Sequence, residues 1–411
     1  MSSDSSAGGG PGRRHAAQQR ILLDLLGRLR PHLRSDQNLP ARIETLLSGD
    51  RRRGSRDRRL YRELIYTALR HLPWAEPRLD SDPERATRMI AWLAADTQAT
   101  SAFRAGQAGD WPPAPPGLAD RAAFLGEDPQ ALLPPWFRSH CPELFQPVEL
   151  DAQLRRAPLW LRLQAGDPAP VFAELEAKGW DFRRADALGT AIRILSEADV
   201  TRTDAHRSGL LEIQDIGSQL VLTMAAPALG GRWLDACAGA GGKTLQLARL
   251  LGPTGRVDAF DIRRSALAEL ASRASRAGAG TIRILPGPPE DRYDGVLVDA
   301  PCTGSGTWRR APHLRWSTTE AGVRRSAERQ LDLLGRFSSL VSPGGRLVYA
   351  TCSLSSLENE DVVGAFLASH PDFTPKPPPD LLGFTPRGPG FLLLPSVHDS
   401  DGFFVSLLSR T

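Results

Sequence analysis

The chain has 411 residues, a length that suggests two or three domains. Its apolar content of 41% and charged content of 24% are ordinary for a soluble globular protein. No apolar run reaches the roughly 18 residues that a membrane-spanning helix requires, and residues 1–11 lack the apolar core of a secretory signal. We therefore expect a protein without a membrane segment, whose net charge of +4 favours a polyanionic partner.

Cysteines and lysines are few, and both restrict the possible chemistry. The four cysteines, Cys141, Cys237, Cys302 and Cys352, form no C-x-x-C pair, which argues against a zinc site and against a disulfide framework. We expect a metal-free protein in a reducing cytoplasm. Only three of the 51 basic residues are lysines, so a lysine inside a motif, such as Lys243, is expected to be chemically required.

The first part of the chain predicts a disordered tail over residues 1–15 and a helical domain over 16–145. Apolar residues recur at helical spacing in Gln19–Leu29 and again in Ser55–His71. Eight arginines lie between residues 51 and 70, against two acids. These arginines either contact an RNA backbone or form a solvated helix face in an arginine-rich chain, and the sequence favours neither interpretation.

A second, smaller module follows a proline-rich stretch at 111–116, which predicts a linker or a long loop. Leu159–Leu163 and Ala191–Leu195 predict strands, and Val171–Lys178 between them predicts a short helix. We interpret residues 146–225 as a small α/β module on this pattern.

Residues 226–411 alternate strands and helices, which indicates a doubly wound α/β domain. A strand at Arg232–Ala236 leads into a glycine-rich loop and then a helix through Leu251. The second strand ends at Asp261, where an acid commonly holds ribose hydroxyls. The loop residues are Cys237, Ala238, Gly239, Ala240, Gly241, Gly242 and Lys243. Together these features predict a nucleoside-containing cofactor.

The loop departs from two common nucleotide-binding templates. G-x-G-x-x-G would require glycine where Thr244 stands, and the phosphate-binding G-x-x-x-x-G-K-[ST] loop would require glycine at Cys237. Both departures argue against dehydrogenases and nucleoside triphosphatases. S-adenosylmethionine fits better, because its domains need a glycine-rich first loop and an acid on the second strand but no diphosphate cradle.

Two cysteines follow apolar, strand-like runs in this domain. Asp299 and Cys302 come after the run at 295–298, and Cys352 comes after the run at 346–350. Ligands of open parallel sheets lie beyond the carboxyl ends of the strands. If the two strands are neighbours, two thiols and one carboxylate project into one crevice.

Several motifs together resemble those of the RNA (cytosine-5)-methyltransferase family of the Fmu/Sun type. They are DACAGAGGKT (235–244), DAPCTGSGTWRR (299–310), PHLRW (312–316) and PGGRLVYATCSLSSLENE (343–360). DRRLYRELIYTALRH (57–71) resembles the NusB-like helical domain of one branch of that family. The resemblance implies a Rossmann-like domain with a mostly parallel seven-stranded sheet, S-adenosylmethionine as cofactor and small-subunit ribosomal RNA as target.

The resemblance also implies a role for each residue at the site. Cys352 would add as the nucleophile to carbon 6 of cytosine, and Cys302 would act as the base in elimination and assist product release. Asp299 would hydrogen-bond the base, and Lys243 would lie beside the base and the thiolate. The Cys237–Lys243 loop, Asp261 and Asp299 would contact the cofactor.

RNA contacts are expected from Arg309, Arg315 and Trp316, which could clamp a flipped base or its neighbours, and from Arg162. Tryptophans that fill a wall and a solvated strand arginine are the alternatives. Three departures from the family pattern stand out. Ala240 replaces a frequent proline, Gln164 replaces a frequent asparagine, and residues 281–290 lack the usual acid of the third strand.

Four alternatives remain open. A transfer RNA could be the target, or the chain could be a non-catalytic RNA-binding assembly factor. A DNA cytosine-5 methyltransferase would use the Pro-Cys thiol of Cys302 as nucleophile, and the Thr-Cys-Ser motif argues against it. An amino-methyltransferase would carry (N/D)-P-P-(Y/F) in place of Asp299–Cys302. We therefore expect a cytoplasmic, monomeric enzyme that methylates carbon 5 of a cytosine in RNA.

Overall fold

The computed structural model describes residues 11–50 and 54–411. The α-helices within these ranges are α1 Pro11–Leu29, α2 Leu39–Ser48, α3 Ser55–Arg70, α4 Leu72–Ala75, α5 Arg78–Ser81, α6 Pro83–Leu93, α7 Ser101–Ala108, α8 Leu118–Leu125, α9 Pro147–Leu154, α10 Ala169–Ala177, α11 Asp204–Arg207, α12 Ile216–Ala225, α13 Gly242–Leu251, α14 Arg264–Arg276, α15 Pro312–Ser317, α16 Glu320–Ser338, α17 Glu360–Ser369 and α18 Pro395–His398. Short 3₁₀-helices occupy Arg30–His32, Pro129–Leu132, Pro135–Ser139, Pro142–Phe145, Val200–Arg202, Ser305–Thr307 and Ser356–Glu358.

The strands belong to two separate sheets. They are β1 Leu159–Leu163, β2 Phe182–Arg184, β3 Ala191–Ile194, β4 Leu211–Ile213, β5 Arg232–Asp235, β6 Arg256–Ala259, β7 Ile282–Ile284, β8 Tyr293–Asp299, β9 Val341–Thr351, β10 Phe373–Pro375, β11 Thr385–Arg387, β12 Gly390–Leu393 and β13 Phe403–Arg410.

The chain divides into two compact units. The helical unit comprises the described residues up to Arg138 together with Phe145–Arg156 and Trp308–Thr318. The sheet unit comprises Ser139–Leu144, Ala157–Thr307 and Thr319–Thr411, and it holds both sheets. The predicted boundaries at residues 145 and 225 do not coincide with this division, and they stay predictions.

Helices of the helical unit form where apolar side chains recur every three or four residues. In α1 these are Leu22, Leu25, Leu26 and Leu29, all buried. The helix begins at Pro11, so residues 11–15 are helical where a tail was predicted, and residues 1–10 lie outside the described ranges. The predicted helix at Ser55–His71 is confirmed as α3.

A four-stranded antiparallel sheet with the order β2-β3-β1-β4 forms the first part of the sheet unit. Its apolar face packs on α10, with Leu161 and Ile192 of the sheet beside Val171 and Leu175 of the helix. The predicted strands at 159–163 and 191–195 and the helix between them are confirmed.

The large sheet has the strand order β11-β12-β13-β9-β8-β5-β6-β7, and β10 pairs with β13. Strands β9, β8, β5, β6 and β7 are parallel to one another. The other four strands pair antiparallel at the β9 side. Buried residues of α12, among them Leu220 and Met224, pack against Val348 and Val405 of this sheet.

The Rossmann-like fold was predicted correctly, but the sheet has nine strands rather than seven. The extra pairing comes from β10 and β11, which have three residues each and contain Pro375 and Pro386. Such segments lack alternating apolar residues and donate few backbone hydrogen bonds, so their pairing depends on the neighbouring strand. Every helix within the described ranges is too short or too polar to span a bilayer.

Candidate active site

Two cysteines meet at the carboxyl ends of β8 and β9. The strands are parallel neighbours, with Asp299 paired in register with Ala350. Cys302 and Cys352 follow within three residues of this pair, and their Sγ atoms lie 3.4 Å apart. The prediction that both thiols share one crevice is confirmed, because both side chains are also partly exposed.

Asp299, the last residue of β8, forms an ion pair with Lys243 of α13. Lys243 Nζ donates to Asp299 Oδ2 at 2.9 Å, and the lysine side chain is only 9% exposed. The lysine nitrogen also lies 5.1 Å from the ring centroid of Phe403 on β13. Three predicted site residues thus lie close together, because Asp299 accepts from Lys243 and is three residues before Cys302.

The glycine-rich loop turns sharply between β5 and α13. Gly239 and Gly241 have φ values of 53° and 87°, the left-handed region that glycine adopts readily. A side chain at Gly241 would meet Leu270 Cδ1 at 2.1 Å, so only glycine fits there. The backbone N–H of Gly239 donates to Asp261 Oδ2 at 2.9 Å. This hydrogen bond joins the loop to the acid that follows the second strand of the domain.

Asp235, the last residue of β5, anchors this loop from below. Its side chain is 1% exposed, and Thr244 Oγ1 donates to its Oδ2 at 2.7 Å. Burial raises the pKa of the Asp235 carboxyl to about 7, partly offset by the Thr244 hydrogen bond. Asp235 was not among the predicted site residues, although it begins the DACAGAGGKT motif.

The Cys302 thiol contacts the Cys352 thiol and lies near the Glu358 carboxylate. The contact with the Cys352 thiol, followed by burial and by the negative charge of Glu358, raises the pKa of Cys302 well above its usual value. Cys302 is therefore held as a thiol, which can donate its S–H to the neighbouring sulfur.

Residues 222–409, which contain all these groups, match the family model described as 16S rRNA methyltransferase RsmB/F. A ribosomal RNA small subunit methyltransferase B from Enterobacter sp. (strain 638) is 31% identical over 303 residues, which cover 70% of this chain and 69% of the relative. The chain belongs to the RsmB/F methyltransferase family. The family resemblance read from the motifs is thereby confirmed.

Other relatives match over a smaller share of their length. The "probable ribosomal RNA small subunit methyltransferase B" of Bacillus subtilis is 31% identical over 257 residues, or 59% of this chain and 57% of the relative. For the Vibrio cholerae protein the identity is 32% over 279 residues, with 66% and 62% covered. The chain thus spans less than two thirds of these two relatives.

Solved structures support the same fold. The crystal structure of PH0851 has a TM-score of 0.73 and 22% identity, and it covers all of both chains. The structure of a methyltransferase homolog protein from Pyrococcus horikoshii has a TM-score of 0.58 and 25% identity, covering 67% of this chain and 93% of that one.

The predicted RNA-contacting arginines are buried in this RsmB/F family member. Arg315 is 0% exposed and donates to backbone carbonyls of Arg70, Leu132 and Gln153 within the helical unit. Burial lowers the pKa of Arg315 to about 9. The side chain ties three segments of the unit together and offers no surface to RNA, which corrects the prediction for this residue.

The predicted RNA contacts of Arg309 and Arg162 are also wrong, because both side chains are buried. Arg309 is 1% exposed and donates to the carbonyls of Arg155 and Arg156. Arg162 is 2% exposed on β1, where it pairs in register with Glu212, and burial lowers its pKa to about 9. An arginine inside an apolar strand looks the same in sequence whether its guanidinium group points outward or inward.

Two tryptophans of the helical unit have packing contacts. Trp308 is fully buried against the ring of Phe137, at a centroid distance of 4.7 Å. Trp316 is half-buried, and its Nε1 donates to the carbonyl of Leu69 at 2.7 Å. Trp308 therefore packs in the core of the helical unit, and an RNA contact by Trp316 stays a prediction.

The remaining cysteines lie in packed surroundings. Burial raises the pKa of Cys141 to about 12 and raises that of Cys237 as well, so both thiols stay protonated near neutral pH. Over residues 11–50 and 54–411 no group of three or more His, Cys, Asp and Glu side chains could hold a metal ion.

Sequence reasoning missed two residues beneath the cysteine loops. Glu358 and Gln330 are both fully buried, and both bond to the segment around Cys302. Glu358 belongs to the LENE end of a recognised motif, but only the fold shows where its carboxylate lies.

Proposed function

We propose that the protein transfers a methyl group from S-adenosylmethionine to carbon 5 of a cytosine in small-subunit ribosomal RNA. The single observation that carries this proposal is the 3.4 Å separation of Cys302 Sγ and Cys352 Sγ. Asp299, which lies three residues before Cys302, accepts a hydrogen bond from Lys243. A nucleophilic thiol, a second thiol and an ion pair in one crevice are what addition and elimination on a pyrimidine require.

The residues around the glycine-rich loop fit S-adenosylmethionine. Asp261, 8% exposed, is proposed to bind the ribose hydroxyls, which would replace the Arg263 guanidinium as its partner. Ile262 beside it is 85% exposed and offers an apolar contact for adenine. The left-handed Gly239 and Gly241 let the backbone approach a ligand closely. When bound, this cofactor supplies an electrophilic methyl group on a sulfonium.

Cys352 is proposed as the nucleophile. Its thiolate adds to carbon 6 of cytosine, which forms a C–S bond and makes carbon 5 electron-rich. Asp299 keeps one oxygen on Lys243, and its second oxygen can accept from the exocyclic amine of the base. This contact fixes the ring over the thiolate and favours addition at carbon 6.

Cys302 is proposed to act on elimination. After methylation the proton on carbon 5 leaves, the C6–S bond breaks and the Cys352 thiolate departs. The Cys302 thiol, 3.4 Å from Cys352, can donate its proton to that departing sulfur. The Cys302 thiolate that results takes the proton from carbon 5, which replaces the proton given to Cys352. The raised pKa of Cys302 supports this residue as the one that assists release, and the Thr-Cys-Ser motif supports Cys352 as the nucleophile.

Ribosomal RNA as the target is supported by the names of the relatives, which are ribosomal RNA small subunit methyltransferases. We further propose that the helical unit, with its predicted NusB-like character, contacts RNA phosphates. Arg56 and Arg59 of α3 are exposed and available for such contacts. Arg62 on the same helix is instead paired with Glu44.

Methyl transfer from labelled S-adenosylmethionine tests this function. The full chain is incubated with 16S ribosomal RNA, with small-subunit particles or with transfer RNA, and the nucleosides are identified by mass spectrometry. The proposal predicts 5-methylcytidine in ribosomal RNA with the wild type and none with Cys352→Ala. Label in transfer RNA alone would overturn ribosomal RNA as the proposed target. Label on a nucleoside other than 5-methylcytidine would overturn the proposed reaction.

A further inference from the structure

Glu358 is a fully buried carboxylate that takes no part in the mechanism above. Its Oε1 accepts from the backbone N–H of Thr303 at 2.9 Å and from Gln330 Nε2 at 3.1 Å. Its Oε2 accepts from Thr303 Oγ1 at 2.6 Å and from Ser353 Oγ at 2.5 Å. All four of these donors are neutral, so a buried negative charge is held by hydrogen bonds rather than by a cation.

These donors come from both cysteine loops. Thr303 immediately follows Cys302, and Ser353 immediately follows Cys352. One carboxylate therefore joins the two segments that carry the thiols, at the first residue after each of them. A shift of either loop would break at least one of these hydrogen bonds.

Further hydrogen bonds, made by Gln330, Ser305 and Tyr349, hold the same two cysteine loops. Gln330 Nε2 also donates to the carbonyl of Pro301, so the residues before and after Cys302 are both fixed. Ser305 Oγ lies 3.0 Å from Ser353 Oγ and accepts from the N–H of Leu354 at 2.7 Å. The backbone carbonyl of Glu358 itself accepts from Tyr349 on β9 at 2.6 Å.

The side chain has to be a carboxylate for this arrangement. Four donors converge on two oxygens, and a glutamine would turn its NH₂ group toward donors that need an acceptor. Burying a charge is unfavourable unless it is fully hydrogen-bonded, so a packed apolar residue would serve better if stability alone mattered. The negative charge also opposes ionisation of Cys302, which lies beside it.

We propose that Glu358 is a positioning residue for methyl transfer, which fixes the loops of Cys302 and Cys352 relative to each other. The inference rests on the proposed function, because it concerns the same two cysteines. It adds a residue that touches neither the base nor the cofactor.

Single-turnover methylation with the full chain is the first test. Glu358→Gln is compared with Asp361→Asn, which removes an exposed acid three residues further along the same segment. We expect Glu358→Gln to slow methyl transfer by about 100-fold, as misplacement of reacting groups does, with unchanged affinity for S-adenosylmethionine. Asp361→Asn should retain the wild-type rate.

A pH profile separates positioning from a merely structural role. Iodoacetamide alkylation of Cys302, followed by peptide mass spectrometry, is measured in Cys352→Ala and in Cys352→Ala with Glu358→Gln. Loss of the negative charge should move the alkylation midpoint to lower pH. Thr303→Val and Ser353→Ala remove donors from the same carboxylate and should each slow methyl transfer, which keeps the test decisive if Glu358→Gln does not fold.

Wild-type methyl transfer together with an unchanged alkylation midpoint in the Glu358→Gln proteins would overturn the inference. If Glu358→Gln does not fold, wild-type rates in both Thr303→Val and Ser353→Ala would overturn it. Failure of the proposed function is recognised separately, because the wild type itself would then form no 5-methylcytidine in any RNA.

Discussion

Cys302 Sγ and Cys352 Sγ lie 3.4 Å apart, although 50 residues separate the two cysteines in the chain. Their strands, β8 and β9, are parallel neighbours, which brings both carboxyl ends to the same edge of the sheet. The distance exceeds a disulfide bond of about 2.05 Å by little more than an ångström. A small movement of the two side chains would therefore join them.

Oxidation should cross-link these thiols. Treatment with diamide is expected to take one hydrogen from each thiol, form the Cys302–Cys352 disulfide and abolish methyl transfer, and dithiothreitol should restore it. Peptide mapping under non-reducing conditions detects the bond. Cys302→Ser serves as the control and should show no such bond. Lasting activity of the wild type in diamide, with no mapped disulfide, would contradict the geometry.

Removal of the lysine at the site should slow the reaction. Lys243→Met leaves the Asp299 carboxylate without the donor that holds it at 2.9 Å, so the base loses an oriented contact. We expect single-turnover methyl transfer to fall by about 100-fold or more. The matched control is Lys178→Met, which changes an exposed lysine outside the site and should keep the wild-type rate. Equal rates for both variants would exclude Lys243 from the mechanism.

Asp235 should make stability depend on pH. Its folded-state pKa is raised from 3.8 to about 7, so the protonated carboxyl favours folding. That contribution is full below pH 3.8 and is lost as pH rises through about 7. Asp235→Asn should therefore be more stable than wild type at pH 8, by up to about 4 kcal/mol, and the difference should shrink toward pH 5. Urea unfolding of both proteins at several pH values measures this difference. A difference in the free energy of unfolding that stays the same from pH 5 to pH 8 would contradict the raised pKa of Asp235.

Buried and exposed arginines should behave differently. Arg315→Ala removes hydrogen bonds to three carbonyls and should lower the free energy of unfolding by about 2–4 kcal/mol. Arg59→Gln on the exposed part of α3 should leave stability unchanged. If Arg59 contacts a phosphate, the variant should also reduce the salt dependence of RNA binding by about one unit of slope. Unchanged stability of Arg315→Ala would contradict its structural role.

Much of the fold was readable from the sequence because it depends on local pattern. Short apolar runs predicted β5, β6, β8 and β9, and the glycine-rich segment predicted the loop before α13 and the helix itself. The crevice of Cys302 and Cys352 also followed, since it depends only on which strands are parallel neighbours.

The features that could not be predicted from the sequence depend on side-chain direction and on contacts between distant parts of the chain. Arg162 and Arg315 read as candidate RNA contacts, yet their guanidinium groups are buried. The pairing of β10 and β11 is set by neighbouring strands rather than by residue pattern. The convergence of Glu358 with Thr303 spans 55 residues and becomes visible only in the folded structure.

Covalent trapping tests the central claim most directly. Wild type, Cys302→Ala and Cys352→Ala are incubated with S-adenosylmethionine and ribosomal RNA, and protein–RNA adducts are resolved on denaturing gels. The account predicts that Cys302→Ala accumulates an adduct, because release is impaired, and that Cys352→Ala forms none. An adduct with Cys352→Ala and none with Cys302→Ala would contradict it and make Cys302 the nucleophile.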